Sequence, residues 1–230
     1  MPCYSPITAW RSRHVNEKTG KRSLVFNENQ GYSDMKLEVP CGRCVGCRIA
    51  YSRQWAVRCM HEASLHDDNS FITLTYSPEN LPEDNSVHVE HLQKFFKRLR
   101  KLIAPTKIRY FACGEYGENK NRPHYHAIIF GYSFPDKRLH TKQNGNLLYR
   151  SRLLEKAWPY GYSMIGNVSF ESCAYVARYV MKKRKGKDDY VDKNGKTNAS
   201  YYEICDPDTG AIYMLNREFC TMSRRPVHRS

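Results

Sequence analysis

Two apolar runs separated by a short polar segment constrain the fold of this chain more than any other feature. Ile108–Cys113 and His126–Phe130 each have the length and composition of a strand, and the polar segment Gly117–Arg122 lies between them. Pro123 stands just before the second run, where its missing N–H does least harm to a strand. The sequence therefore predicts an antiparallel hairpin at the centre of a sheet.

Helices and further strands are predicted on both sides of this hairpin. Phe71–Tyr76 alternates with period two and is rich in β-formers, which predicts a strand. His91–Ile103 has apolar residues at helical spacing and basic residues on its other face. Two more helices, over about Ile49–Leu65 and from an N-cap at Ser169 to about Lys185, and a hairpin over Leu24–Val39 complete the prediction.

This mixture of strands and helices predicts an α+β fold with one main sheet. A length of 230 residues suits one compact unit with a small appendage. We expect a cysteine-rich N-terminal segment and helix over residues 1–66, packed on a core domain over residues 67–230.

The net charge of +14, from 37 basic and 23 acidic residues, points to a polyanionic partner, of which nucleic acid is the usual one. The 17 Tyr and 9 Phe residues would supply stacking platforms for bases. The alternative is that the charge only keeps the protein soluble. A membrane surface is disfavoured, because no amphipathic basic helix with Trp or Leu anchors dominates the chain.

The compartment is predicted from the N-terminus and the cysteines. The first ten residues lack the apolar core of a signal peptide, and no apolar run approaches the length of a membrane span. Nine cysteines is an odd number and does not form the even framework of a small secreted domain. We therefore expect a reducing cytoplasm, with thiols free or bound to metal.

His124 and His126 are two apart in a predicted strand, so their side chains share one face while Tyr125 points to the other. Glu115 precedes His124 by nine residues, across the hairpin loop. Two imidazoles and a carboxylate with open positions would suit a catalytic Mg²⁺, Mn²⁺ or Zn²⁺ that polarises a phosphate. The alternative is that the two histidines simply cover the sheet.

Tyr175 and Tyr179 are four apart in a predicted helix, and Lys182 and Lys183 follow within one turn. A phenol is a poor nucleophile until nearby positive charge favours its phenolate, which the lysines could supply. The pair is therefore either two nucleophiles or an ordinary aromatic packing pair, and the spacing alone leaves both interpretations open.

Cys41, Cys44 and Cys47 are spaced C-x₂-C-x₂-C, a spacing that suits a structural zinc with a fourth ligand from Cys59, Cys3 or His61. An iron–sulfur cluster and reduced thiols in a packed turn are the alternatives.

Basic residues are predicted to contact a nucleic-acid backbone without reading its sequence. These are Arg43, Arg48, Arg53, Arg178, Lys182 to Lys185, Arg224 and Arg225.

Three segments occur in an order typical of a known superfamily: Phe71–Tyr76, then Arg122–His126, then Tyr175–Lys183. They resemble the three motifs of HUH endonucleases that start rolling-circle replication. The chain is most similar to the replication initiators of microviruses, small single-stranded DNA phages, and especially to their gokushovirus-like branch. That branch also resembles this chain at Pro40–Arg48, Leu92–Arg100, Gly114–Gly117 and Met222–Pro226.

The resemblance implies a central antiparallel sheet with flanking helices. It implies a divalent cation, Mg²⁺ or Mn²⁺, on Glu115, His124 and His126, and Tyr175 and Tyr179 as two nucleophiles that form a covalent 5′-phosphotyrosine. The implied partners are single-stranded or supercoiled origin DNA and the host helicase and polymerase, in the bacterial cytoplasm.

Two alternatives to phage replication stay open. One is a plasmid initiator, relaxase or transposase of the same superfamily, in which single-tyrosine forms are common. The other is a non-catalytic, zinc-stabilised module that binds single-stranded DNA. The family usually continues beyond the segment that matches Arg224–Pro226, so we expect either a short member or a truncated reading frame.

Overall fold

In the computed structural model, the chain forms two compact units, which consist of residues 1–51 and residues 52–230. Described are residues 3–117, 121–143, 145–182, 197, 202–205 and 210–223, with the backbone alone for 179–182. The division falls inside the first helix, α1 (Val45–Ala63), which starts within the cysteine-rich segment.

The first unit contains a three-stranded antiparallel sheet of β1 (Ile7–Val15), β2 (Arg22–Val25) and β3 (Gly31–Val39), in the order β2-β1-β3. The predicted Leu24–Val39 hairpin is wrong, because β2 and β3 each pair with β1, a strand that the sequence analysis did not predict. Glycine is needed at position 31, since a Cβ there would clash with the Trp10 side chain on β1.

The second unit is built on a seven-stranded antiparallel sheet, which confirms the predicted α+β fold class and the central hairpin. A separate two-stranded sheet pairs β10 (Glu203–Cys205) with β11 (Ile212–Met214). In spatial order, the main sheet consists of β12 (Phe219–Met222), β5 (Arg109–Tyr116), β6 (Pro123–Phe130), β4 (Asn69–Tyr76), β9 (Gly161–Gly166), β8 (Asn146–Arg150) and β7 (Arg138–Gln143).

Three more helices follow α1: α2 (Val89–Leu102), α3 (Arg152–Ala157) and α4 (Phe170–Lys182). The predicted N-cap of α4 is confirmed, because the Ser169 hydroxyl accepts a hydrogen bond from the Ser172 amide at 3.2 Å. Within the described part of the chain, no helix is both long and apolar enough to cross a membrane.

Alternation along β4, β5 and β6 gives the main sheet two differently covered faces. Tyr125, Ala127 and Ile129 lie in one hydrophobic cluster with the buried residues of α2. Ile128 and Phe130 point the other way, into a second cluster with residues of α4 and the second half of α1. We call this second side, which also carries His124 and His126, the α4 face.

Candidate functional site

Strand register brings the three predicted metal ligands together on the α4 face. In the β5–β6 ladder Glu115 is the direct partner of His124, and Cys113 is the partner of His126. Side chains opposite each other in an antiparallel pair lie close together on one face. The ligand atoms of Glu115, His124 and His126 consequently all lie within 4.8 Å of one another.

The distances in this triad suit a small divalent cation. Glu115 Oε1 lies 2.8 Å from His124 Nε2 and 3.0 Å from His126 Nε2. Two ligand atoms bound at right angles to one ion, each at about 2.1 Å, would lie about 3.0 Å apart, as in octahedral Mg²⁺ coordination. The residues present can therefore hold such an ion without rearrangement of the carboxylate relative to either imidazole.

Hydrogen bonds on the far side of each ring orient both imidazoles toward Glu115. His124 Nδ1 donates to the Arg122 carbonyl oxygen at 3.0 Å, so Nε2 is the ring nitrogen that faces Glu115. His126 Nδ1 lies 3.0 Å from the Thr73 hydroxyl on β4. Partners of this kind fix the tautomer and ring orientation of metal-binding histidines.

Burial and hydrogen bonding both act on the protonation of Glu115 and His126. Glu115 is almost fully buried, and burial opposes its ionisation. The hydrogen bonds to His124 and His126 outweigh burial and hold the pKa of Glu115 below its usual value. Burial also lowers the pKa of His126, which favours the neutral imidazole that a metal requires.

Tyr175 of α4 lies beside the triad. Its ring meets the His126 ring edge-on with the centroids 5.0 Å apart, and it makes a second edge contact with Phe71 at 6.4 Å. The Arg178 guanidinium lies over the Tyr175 ring, 5.3 Å from its centroid. One predicted nucleophile, one predicted DNA-binding arginine and the predicted metal ligands thus occupy one site.

The other predicted residues of this segment lie at or beyond the limit of what the structure describes. Tyr179 and Lys182 belong to the backbone of α4, but their side chains lie outside the described part, as does the whole of Lys183.

Tyr125, between the two histidines, points to the opposite face and is fully buried, as its position in the strand predicts. Its hydroxyl lies 2.6 Å from the Tyr76 hydroxyl, accepts from the His88 amide at 2.8 Å and donates to the His88 carbonyl at 3.1 Å. Burial raises the pKa of Tyr125, which opposes formation of a phenolate. Tyr125 is therefore a packing residue.

A second group of metal-ligand side chains lies in the first unit and consists of Cys3, Cys41, Cys44 and Cys47, with their sulfur atoms within 4.8 Å of one another. Of the three sequence alternatives for the fourth ligand, the structure brings Cys3 into the group. Cys59 is buried in the cluster of the α4 face, against Cys173.

The predicted DNA-binding arginines are spread along the chain. Arg43 and Arg48 lie in the exposed turn and first helical residues of the first unit, and Arg53 is exposed on α1. Arg178 is exposed at the end of the site beside Tyr175. Arg224 and Arg225 lie outside the described residues.

Sequence reasoning missed two residues that complete the triad's surroundings, Thr73 and Phe71. The Phe71 ring stacks on the His126 ring, with centroids 5.7 Å apart and planes 6° apart. Both residues occupy positions of β4 that share a face with His126, because Thr73 is its direct partner in the ladder. The alternation of Phe71–Tyr76 was the signal that could have found them.

The segment that holds this site matches a known family. The family described as "Replication-associated protein ORF2/G2P" matches residues 69–184, which is half of the chain and includes the triad and α4. The chain belongs to this family.

Curated relatives agree with this assignment. The chain is 35% identical over 192 residues to "Replication-associated protein VP4" of Bdellovibrio phage phiMH2K, covering 80% of this chain and 58% of the relative. It is 38% identical over 203 residues to "Replication-associated protein ORF2" of Spiroplasma virus 4, covering 82% and 63%. The chain therefore spans about six tenths of the length of these two relatives. No solved structure matches the chain significantly.

Proposed function

We propose that this chain nicks and rejoins single-stranded DNA to start and finish rolling-circle replication of a small circular phage genome. The observation that carries the proposal is the contact between the Tyr175 ring and His126, which belongs to a buried group of three metal ligands. Membership of a family of replication-associated proteins, and relatives with that name in phages of bacteria, support the biological setting.

A divalent cation, Mg²⁺ or Mn²⁺, held by Glu115, His124 and His126 would withdraw charge from the scissile phosphate when bound. The chain's own contribution is to align these ligands and to hold two of them away from water: Glu115 is 1% exposed and His126 is 5% exposed. The hydrogen bonds to Thr73 and Arg122 keep both imidazole Nε2 atoms directed at Glu115.

Tyr175 is the proposed first nucleophile, because its ring contacts His126 of the triad. Its phenolate oxygen attacks phosphorus, the bond from phosphorus to the 3′ oxygen breaks, and a phosphotyrosine ester forms at the 5′ phosphate of the downstream strand. The 3′ oxygen of the upstream strand leaves and takes up a proton. Arg178, over the same ring, brings positive charge to the phenol and to the phosphate. Because one phosphate diester is exchanged for another, the energy of the bond is conserved and the step needs no nucleoside triphosphate.

Tyr179, one helical turn further along α4, is the proposed second nucleophile for the closing reaction. It would attack the junction that a round of synthesis regenerates and free a new 3′ hydroxyl. That hydroxyl would attack the phosphotyrosine on Tyr175, which closes the strand into a circle and releases the tyrosine. Lys182 and Lys183 would bind the phosphates next to the cleaved bond. The freed 3′ hydroxyl would prime a host polymerase, which places the proposed activity in the host cytoplasm.

The proposed DNA contacts agree with the charge of the molecule. With a net charge of +14, binding to single-stranded DNA should weaken steeply as salt rises, because each phosphate contact releases counterions. Arg178 is the one predicted arginine that the described contacts bring to the triad. Arg43, Arg48 and Arg53 would add affinity through further contacts with the DNA backbone.

The test is an end-labelled origin oligonucleotide incubated with the chain and Mn²⁺. A covalent protein–DNA band should form, disappear with EDTA and be absent from the Tyr175→Phe/Tyr179→Phe double variant. Tyr162→Phe is the matched control, since Tyr162 is exposed on β9 and should leave the band intact. A band that persists in the double variant would exclude the proposal, and the single variants would show which tyrosine attacks first.

A non-catalytic single-strand binding module remains the competing hypothesis, because it explains the basic charge and the cysteine group equally well. It does not explain why a buried carboxylate and two imidazoles converge on one point beside Tyr175. DNA binding that continues normally while no covalent band forms under any metal would favour the binding module.

A further inference from the structure

The first unit has almost no hydrophobic core of its own. Of its described residues, 3–51, only Ala9 is a buried apolar side chain, and the buried residues of both hydrophobic clusters all lie beyond residue 51. Ile7, Phe26 and Met35 are instead exposed. A three-stranded sheet with so little buried apolar surface is marginal without a disulfide or a metal to stabilise it.

The four cysteines lie where a cross-link would close this sheet. Cys3 precedes β1 and Cys41 follows β3, and the pairing of Ile7 with Val39 brings these two strand ends side by side. Cys44 immediately precedes α1, and Cys47 lies in its first turn. A group bound by all four would therefore join β1 and β3, at the end of their ladder where Ile7 pairs with Val39, to the start of the helix.

The sulfur positions suit tetrahedral coordination of one ion. The sulfurs of Cys41 and Cys47 are 4.0 Å apart, and those of Cys3 and Cys44 are 3.9 Å apart. Four thiolates placed tetrahedrally around one zinc at about 2.3 Å would have sulfurs about 3.8 Å apart. A disulfide needs about 2.05 Å, and all four cysteines are free. A four-iron cluster would spread the sulfurs further, because the cluster itself must fit between them.

Backbone amides also point at these sulfurs. The amide of Cys41 donates to Cys3 Sγ at 3.3 Å, that of Cys44 to Cys41 Sγ at 3.4 Å, and that of Cys47 to Cys44 Sγ at 3.4 Å. Hydrogen bonds from amides stabilise negative charge on sulfur and orient the ligands around a metal. Exposed Arg43 and Arg48 in the same segment would offset the negative charge of a tetrathiolate site.

We propose that Cys3, Cys41, Cys44 and Cys47 bind one Zn²⁺ and that this ion stabilises the fold of the first unit. The four thiols lose their protons on binding, so no oxidant or reductant is involved. The inference does not depend on the proposed nuclease activity, because it concerns other residues in another unit.

The first test replaces zinc by Co²⁺ in the full chain and records the ultraviolet–visible spectrum. Thiolate-to-cobalt charge transfer is specific to cysteine ligands, so cobalt on the Glu115 triad gives no such band. We expect one thiolate-bound cobalt per chain, with binding weakened at least tenfold in Cys3→Ser. Cys59→Ala tests the alternative fourth ligand, and Cys205→Ser, an exposed cysteine outside the group, is the matched control. Both should bind cobalt normally.

The second test uses the unaltered chain and so does not depend on a variant folding. Zinc-loaded protein is alkylated with and without a strong zinc chelator, and the modified cysteines are mapped by mass spectrometry. Cys3, Cys41, Cys44 and Cys47 are only partly buried, so protection that vanishes with chelator reports a metal. Exposed Cys205 should react in both samples.

Three outcomes of these two tests would overturn the zinc site. They are the absence of a thiolate–cobalt band in the unaltered chain, equal cobalt affinity in the unaltered chain and Cys3→Ser, and alkylation of the four cysteines that chelator does not change. Iron with stoichiometric acid-labile sulfide in the purified chain would replace zinc by an iron–sulfur cluster and would also contradict the proposal.

Discussion

The two groups of metal-ligand side chains in this protein differ in what surrounds them. Glu115, His124 and His126 lie on neighbouring strands of a seven-stranded sheet, between large hydrophobic clusters. The four cysteines lie at a turn in a unit with almost no buried apolar surface among its described residues. The carboxylate–imidazole distances suit ligands at right angles, whereas the sulfur distances suit a tetrahedron.

This difference indicates opposite relations between ion and fold. The sheet brings the histidines and glutamate together through backbone register, so the triad exists before any ion arrives. In the first unit the proposed ion would itself supply the cross-link that a core supplies elsewhere. Under the two proposals, the ligand group of the second unit would serve chemistry, and the ligand group of the first unit would serve folding.

The largest effect is expected when one ligand is removed from the triad, which tests whether the triad serves chemistry and not folding. His124→Ala should lower nicking by about a thousandfold, since the metal supplies several kcal/mol of charge stabilisation. The melting temperature should change little, because His124 is partly exposed. Single-turnover nicking and thermal unfolding are the measurements. His140→Ala, on exposed β7, is the control, and a comparable loss in that variant would contradict the assignment.

Removal of each ion in turn from the unaltered chain should have different effects on amide exchange in the two units. Stripping zinc should raise amide exchange in residues 3–51 by on the order of a hundredfold or more, while strands β4 to β6 stay protected. Removing Mg²⁺ alone should leave exchange unchanged in both units. Hydrogen exchange followed by mass spectrometry measures both, and uniform loosening of the whole chain on zinc removal would show that the units do not differ in this way.

A smaller effect is expected from Thr73→Val, which keeps the β-branched shape and removes the hydroxyl next to His126 Nδ1. Loss of such a partner typically weakens metal affinity about 10- to 100-fold. The measurement is the Mn²⁺ concentration for half-maximal nicking, with the maximum rate nearly unchanged at saturating metal. Ser163→Ala on β9 is the control. Unaltered Mn²⁺ dependence in Thr73→Val would mean that this hydrogen bond does not hold the ring.

Tyr125→Phe should leave the chemistry intact and lower stability alone. It removes a hydroxyl that bonds to Tyr76 and to both the amide and carbonyl of His88, so the free energy of unfolding should fall by about 1–3 kcal/mol. Urea unfolding and nicking at a temperature where the variant is folded check this. A tenfold loss of nicking by folded protein would assign Tyr125 a role beyond packing.

The triad was predictable because alternation in a strand is a local property. Two histidines two residues apart must share a face, and a glutamate at hairpin distance lands beside one of them once the loop closes. The central hairpin, α2 and the start of α4 were predictable for the same reason, since each follows from a period or a cap within a few residues.

Features that depend on long-range pairing were missed. The prediction for the sheet of the first unit was wrong because β1 lies between β2 and β3, and local sequence patterns do not specify strand order. The exposed strands β7 and β8 have no alternating buried face to reveal them. The sequence offered Cys3 only as one of three candidates for the fourth ligand. Cys3 and Cys44 are 41 residues apart in the sequence, and the whole three-stranded sheet lies between them along the chain.

The hairpin between β5 and β6 makes Glu115 and His124 direct partners in the ladder, and nearer the loop the Gly117 amide donates to the Arg122 carbonyl at 3.0 Å. The ladder, not the connecting segment, sets the spacing of the ligands. A change in the length of the connecting segment that keeps this register would therefore leave the ligands together, whereas a slip of one residue would turn Glu115 to the opposite face from His124.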